Sequence, residues 1–155
     1  MSGGQVLLFR AGGMRLGVFL AEVGRLLVED GLIAVPFAHP AMAGLLIADD
    51  DGPVPVFDLR GLVDTLGPAG SRPSLAVSGQ ATVALFPTAK GPVGVRLEQL
   101  LGTISRYQPL DAEATARLHE DIPIALARTV TGAATADDGP FSFFSPEAFL
   151  ASVGL

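Results

Sequence analysis

Residues 45–59 read Leu45-Leu46-Ile47-Ala48-Asp49-Asp50-Asp51-Gly52-Pro53-Val54-Pro55-Val56-Phe57-Asp58-Leu59: an aliphatic run, a polar tip and a second apolar run. The Asp51-Gly52 step tolerates the positive φ that a tight hairpin needs, so the stretch predicts two antiparallel strands joined at the aspartates. The same grammar recurs along the chain. Val6-Leu7-Leu8-Phe9-Arg10 and Met14-Arg15-Leu16-Gly17-Val18 flank Ala11-Gly12-Gly13, and residues 81–87 and 92–97 flank Thr88-Ala89-Lys90-Gly91. Residues 122–130 and 141–144 flank another Asp-Gly tip, Asp137-Asp138-Gly139. Residues 31–36 form a further strand that Pro36 ends, because proline donates no ladder hydrogen bond.

The 19 glycines and 12 prolines are scattered through the chain rather than pooled, and so cut the apolar residues into short runs. Short strands at close spacing, with no alternation of strands and long helices, predict an all-β sandwich or barrel. A small barrel also removes sheet edges, which matters where only 17% of residues are charged. Helices are expected to be few. Leu20, Val23, Leu26 and Leu27 fall at helical spacing and predict a short amphipathic helix over 20–27. Asp58 is placed to cap a helix over 59–66, with Gly67-Pro68 as its stop and an exposed connector over 68–80. Residues 111–120 read as a short solvated helix or loop. Ser145-Pro146-Glu147 reads as cap, first-position proline and first-turn acid of a C-terminal helix.

At 155 residues the chain suits one domain with a sizeable core. Its net charge of −6, with no run of Lys and Arg, lacks the footprint that nucleic acid requires. Zero cysteines exclude disulfides and thiolate metal sites and fit a reducing, cytoplasmic setting. The richest apolar stretch, 16–28, is interrupted by Glu22 and Arg25, so no membrane insertion is expected, and Met1-Ser2-Gly3-Gly4 opens no secretory signal.

In their order along the chain these segments resemble the CheW-like domains of bacterial chemotaxis, over about residues 5–152. Val6-Leu7-Leu8-Phe9 with Leu16-Gly17-Val18 is similar to the family's opening hairpin, and Val35-Pro36-Phe37-Ala38-His39-Pro40 to its proline-rich segment, with Gly44 following at family spacing. Val54-Pro55-Val56-Phe57-Asp58-Leu59-Arg60 stands where the family has a proline, two apolar residues, Asp and Leu. Val93-Gly94-Val95-Arg96-Leu97-Glu98 resembles its Gly, apolar, apolar, Val, Asp run, and residues 141–147 its closing strand and helix.

The resemblance implies one CheW-like domain over 1–155, built of two small five-stranded barrels of the src-homology-3 kind packed side by side. One barrel would present a surface to the regulatory domain of a histidine kinase, and the groove between the barrels would grip a chemoreceptor tip. Leu7, Leu20 and Val23 would line that groove, with Val95 and Leu97 nearby. Such domains are non-catalytic scaffolds, without cofactor or metal, that sit in the cytoplasm and are recruited to receptor arrays. Two departures stand out. Where the family usually has Asn, Leu, Arg, Gly, this chain carries Asp49-Asp50-Asp51-Gly52, so a partner that met the arginine with an acid is repelled at Asp49. Ser145 also replaces an Asp. These departures favour, as an alternative, an adaptor for another motility or polar-localisation system; the high apolar content and the groove expected between the barrels give an alternative of a different class, a small-molecule-binding barrel.

Catalytic chemistry finds little support. Three consecutive aspartates in a turn diverge and lack cation-ligand spacing, so they read as a solvated tip. His39 and His119 lie far apart in sequence, no serine sits in a nucleophile elbow, and Ala11-Gly12-Gly13 joins strand to strand rather than cradling a phosphate.

Overall fold

The computed structural model describes residues 4–29, 32–33, 41–48, 52–61, 81–89 and 91–152. Eleven strands are found among them: β1 (Val6–Ala11), β2 (Met14–Phe19), β3 (Arg25–Glu29), β4 (Met42–Ala48), β5 (Gly52–Phe57), β6 (Ala81–Phe86), β7 (Val93–Leu97), β8 (Gln99–Ile104), β9 (Gln108–Pro109), β10 (Val130–Ala136) and β11 (Gly139–Phe144). A 3-10 turn covers Leu20–Glu22, and the helices α1 (Ala112–Leu118), α2 (Ile124–Ala127) and α3 (Pro146–Ser152) are short. The strands form two mixed sheets, ordered β8-β1-β2-β11-β10-β9 and β3-β6-β7-β5-β4.

Both sheets curl on themselves. In the first, residues 105–107 join the end of β8 to the start of β9, so one segment of chain pairs with β1 at one end and with β10 at the other. With β8 and β9 counted as one bent strand, this barrel has five strands. In the second, Ile33, just beyond β3, bridges Leu45 of β4 through reciprocal bonds of 2.9 and 2.8 Å, and the ring closes there. The closure depends on Gly44, because a Cβ at that position would lie 2.7 Å from Leu32 Cβ and 2.8 Å from the Ile33 carbonyl. The all-β architecture of two barrels with short helices, including one at the C-terminus, is as the sequence predicts.

Strand alternation divides the apolar residues among three cores. Val6 and Leu8 point into barrel 1 with Ala134 and Phe141, while Val54, Val56, Val83 and Leu85 fill barrel 2. Alternate residues of the same strands, Leu7 and Phe9, Ala84 and Phe86, Val93, Val95 and Leu97, meet between the barrels, where Phe57, Phe144 and Phe149 join them. Rings there pack edge-on or tilted, Phe57 against Phe149 at 5.3 Å and Phe86 against Phe144 at 5.9 Å.

The two barrels are copies of one unit with the halves in exchanged order. The β4–β5 pairing (Gly44↔Val56, Leu46↔Val54, Ala48↔Gly52) is repeated position for position by β10–β11 (Gly132↔Phe143, Ala134↔Phe141, Ala136↔Gly139), including the bulge before the glycine. Likewise β6–β7 (Val83↔Arg96, Leu85↔Gly94) matches β1–β2 (Val6↔Phe19, Leu8↔Gly17). The parallel joins agree as well, Val56↔Gly94 with Phe143↔Gly17, and Asp58 N donates to Ala41 O as Ser145 N does to Thr129 O.

Two expectations need correction. The predicted helix over 20–27 is helical only at Leu20–Glu22; residues 25–29 are β3, paired with β6 from Arg25↔Leu85 to Glu29↔Ala81. Pairing with β6 overrides the helical spacing, so Leu27 faces the barrel interior while Leu26 and Val28 face out. The last hairpin also starts later than predicted: 124–127 is helix, and the outgoing strand is 130–136. Its small residues Ala133 and Ala134 leave room for the aromatic residues of β11. The strand over 31–36 is seen only as the Ile33 bridge, the helix over 59–66 only at its first residues, and the connector 68–80 lies outside the described residues.

Candidate functional site

An open groove of about 970 Å³ lies on barrel 1, where it borders barrel 2 at Phe86 and Pro87. Its floor is aromatic: Phe19 at the end of β2 stacks on Phe143 of β11 at 5.3 Å, with Phe86 and Phe144 alongside. Its walls are small, with Ala112, Thr115 and Ala116 from α1 and Thr131, Gly132 and Ala133 from β10. Asp111 Oδ1 accepts from Ala114 N at 2.7 Å and starts α1 beside β10. Ser145 Oγ accepts from Ala148 N at 3.1 Å and starts α3, which sets Pro146 and Glu147 at the rim. Glu22, from the 3-10 turn, is a second acid there. Burial, and then the charge of Glu147, push the Glu22 carboxyl above its ordinary pKa.

The other polar centre sits at the end of barrel 2. Asp58, buried, accepts from Arg60 N at 2.9 Å and from Arg60 Nη2 at 2.8 Å, and from Arg96 Nη1 at 3.1 Å. Burial alone would raise the Asp58 pKa, but the bonds from Arg60 and the charges of Arg60 and Arg96 outweigh it and hold the carboxyl below its usual range. This is a structural lock: the carboxylate is 2% exposed, so its oxygens are out of a partner's reach.

The expected contact residues fall in different places. Leu7, Val95 and Leu97 are buried in the core between the barrels, and Val23 packs partly buried against it, so the structure brings these four together as packing. Leu20 is 37% exposed on the 3-10 turn. The groove itself is lined by their neighbours Val18, Phe19 and Glu22. Asp49 lies outside the described residues. Sequence reasoning missed Phe19, Phe143, Glu22 and Glu147; the signal that could have found Phe143 is the repeat of the barrel unit, Gly52-Pro53-Val54-Pro55-Val56-Phe57 against Gly139-Pro140-Phe141-Ser142-Phe143-Phe144, and no local pattern marks the other three.

Among the described residues no group of three or more His, Cys, Asp or Glu is placed to hold a metal. His119 Nε2 lies 2.8 Å from Ser142 Oγ, a pairing that sequence distance hid, but the hydroxyl is buried and ties the end of α1 to β11. No helix among the described residues is long and apolar enough to cross a membrane.

No protein-family profile matches the chain, and no curated protein matches it. Among solved structures it is similar to the scaffolding protein TtCheW from Thermoanaerobacter tengcongensis, with a TM-score of 0.63 and 14% sequence identity over 92% of this chain and 84% of that chain. At that identity the likeness shows the shared fold.

Proposed function

We propose that this chain is a non-catalytic scaffold of the CheW kind, which links a chemoreceptor tip to the regulatory domain of a histidine kinase in the cytoplasm. The observation that carries the reading is the open apolar groove on barrel 1, bordered by Phe86 and Pro87 of barrel 2, beside two barrel interiors packed with side chains. A ligand inside either barrel would find no room, whereas a groove of this size suits a segment of another protein. We assign the receptor to this groove, through Phe19, Phe143 and the neighbouring Leu20.

A scaffold needs a second surface, and barrel 2 offers one. Leu26 and Val28 on β3, Ile33 at the closing seam and Ile47 on β4 are 40 to 60% exposed. In barrel 1 the corresponding positions are Thr103, Ser105 and Thr135 for Leu26, Val28 and Ile47. The barrel unit therefore folds with hydroxyls at these sites, and the aliphatic side chains on barrel 2 answer a need other than folding. We assign this face to the kinase, and with it Asp49, which stands in the sequence in the place of the family's arginine.

Binding of the purified chain to a receptor-tip fragment and to a kinase regulatory domain tests the assignment. Ala116→Trp, which fills the groove from an exposed helical position, is expected to abolish receptor binding alone; Val28→Glu is expected to abolish kinase binding alone. Loss of both from either change would sink the two-surface reading.

A further inference from the structure

The positions that frame the groove on barrel 1 are occupied on barrel 2 by an ion-paired cluster. The matched registers put Ser145 at the position of Asp58, Glu147 at that of Arg60 and Phe19 at that of Arg96. Barrel 2 closes its site with a carboxylate held by two guanidiniums, through the 2.8 Å bond from Arg60 and the 3.1 Å bond from Arg96. Barrel 1 keeps neither cation: a ring stands for one, a carboxylate for the other, and a hydroxyl for the central acid. Glu22 adds a second carboxylate. None of the described residues lining the groove is cationic. The site thus carries carboxylates without the two cations that its copy holds.

The shape of the groove narrows the choice of occupant. Alanine, glycine and threonine walls suit the close approach of a helix backbone, and the groove is flanked by α1 on one side. Two carboxylates beside an aromatic floor suit a guanidinium, whose planar fork bonds carboxylates and stacks on rings.

We propose that the groove's occupant is an amphipathic helix whose apolar face carries one arginine or lysine seated against Glu22 and Glu147, taking the role that Arg60 and Arg96 play within barrel 2. This rests on the reading of the groove as a partner site. The same geometry makes Glu22 and Glu147 specificity residues, because a helix with an acid at that position would meet two carboxylates.

The test is a displayed library of amphipathic helices, randomised at the positions flanking the apolar face, selected against the intact chain and counter-selected against Ala116→Trp. Selected helices are expected to carry arginine or lysine at one recurrent position. Replacing that residue by glutamine should weaken binding roughly three- to tenfold, as should Glu22→Gln combined with Glu147→Gln, without further loss when helix and chain are both changed. Phe19→Arg with Ser145→Asp, which restores part of the barrel 2 set, should remove the preference for a cationic helix while circular dichroism stays unchanged. Groove-binding helices without a cation, or cationic helices that bind the double glutamine variant equally well, would overturn the proposal and leave the groove reading intact. Recovery of no helix sensitive to Ala116→Trp would overturn the groove reading, and the proposal with it.

Discussion

Asp58 shows how a single residue in this fold can carry more than its share. It is buried between two guanidiniums, so Asp58→Ala removes the carboxylate that faces the buried Arg96 charge, and a loss of about 3–5 kcal/mol is expected in urea unfolding. The pH dependence has a definite sign. A carboxyl held below its unfolded pKa stabilises the fold above the unfolded value, and that contribution is lost as pH falls through the folded one. Stability in acid should therefore fall more steeply for the wild type than for Asp58→Asn. Gly17 and Gly94 make a second case: a Cβ at Gly17 would lie 2.7 Å from the Phe141 ring, and one at Gly94 2.8 Å from Val83. Alanine at either is expected to cost about 1–3 kcal/mol by thermal or chemical unfolding. Asp58 stood out in the sequence as a cap, but its pairing with Arg96 joins residues 38 apart in sequence, and no local pattern announces it.

Hairpins were the most legible elements, because an Asp-Gly or Gly-Gly step between apolar runs fixes its own turn. The helix expected over 20–27 was the least legible: Leu20, Val23, Leu26 and Leu27 satisfy a 3.6 period, yet Gly24 N donates to Leu85 O at 2.7 Å and commits the chain to β6. The small-residue strand 131–136 was hidden for the opposite reason, since alanine and glycine carry little strand propensity and their place is set by the phenylalanines across from them. The groove suffered from both effects, because its walls belong to α1 and β10. At the same scale, His119 fastens α1 to Ser142, and burial pushes its imidazole below the ordinary histidine pKa. With the folded value depressed, the fastening is fully present above the unfolded pKa and lost as pH falls toward the folded one. Hydrogen-exchange protection of α1 should drop on acidification through that window in the wild type and stay level in His119→Gln.

The whole molecule is bound together by the core between the barrels, to which Phe9 and Phe57 contribute from opposite sheets. The chain builds part of barrel 1, all of barrel 2, and then returns to finish barrel 1, so neither barrel is a contiguous segment. We expect the two to unfold as one: fluorescent probes placed in either barrel should report a single coincident transition, and Phe9→Ala should shift its midpoint equally in both, for a loss of stability of about 3–5 kcal/mol. The exchanged order also explains why the duplication is hard to read from sequence. Val6-Leu7-Leu8-Phe9 and Val83-Ala84-Leu85-Phe86 match in one direction along the chain, the two Gly-Pro strands match at another spacing, and no fixed period aligns both. Once aligned, the copies act as a control for each other, and the positions where they differ in polarity, the groove of barrel 1 and the outer face of barrel 2, are the two surfaces we assign to partners. The most direct test is a bridging measurement in which an immobilised receptor-tip fragment captures the chain and the captured chain is exposed to the kinase regulatory domain. The account predicts a ternary complex, lost at the first step with Ala116→Trp and at the second with Val28→Glu. Competition between kinase and receptor for one surface, or no binding of either, would contradict it.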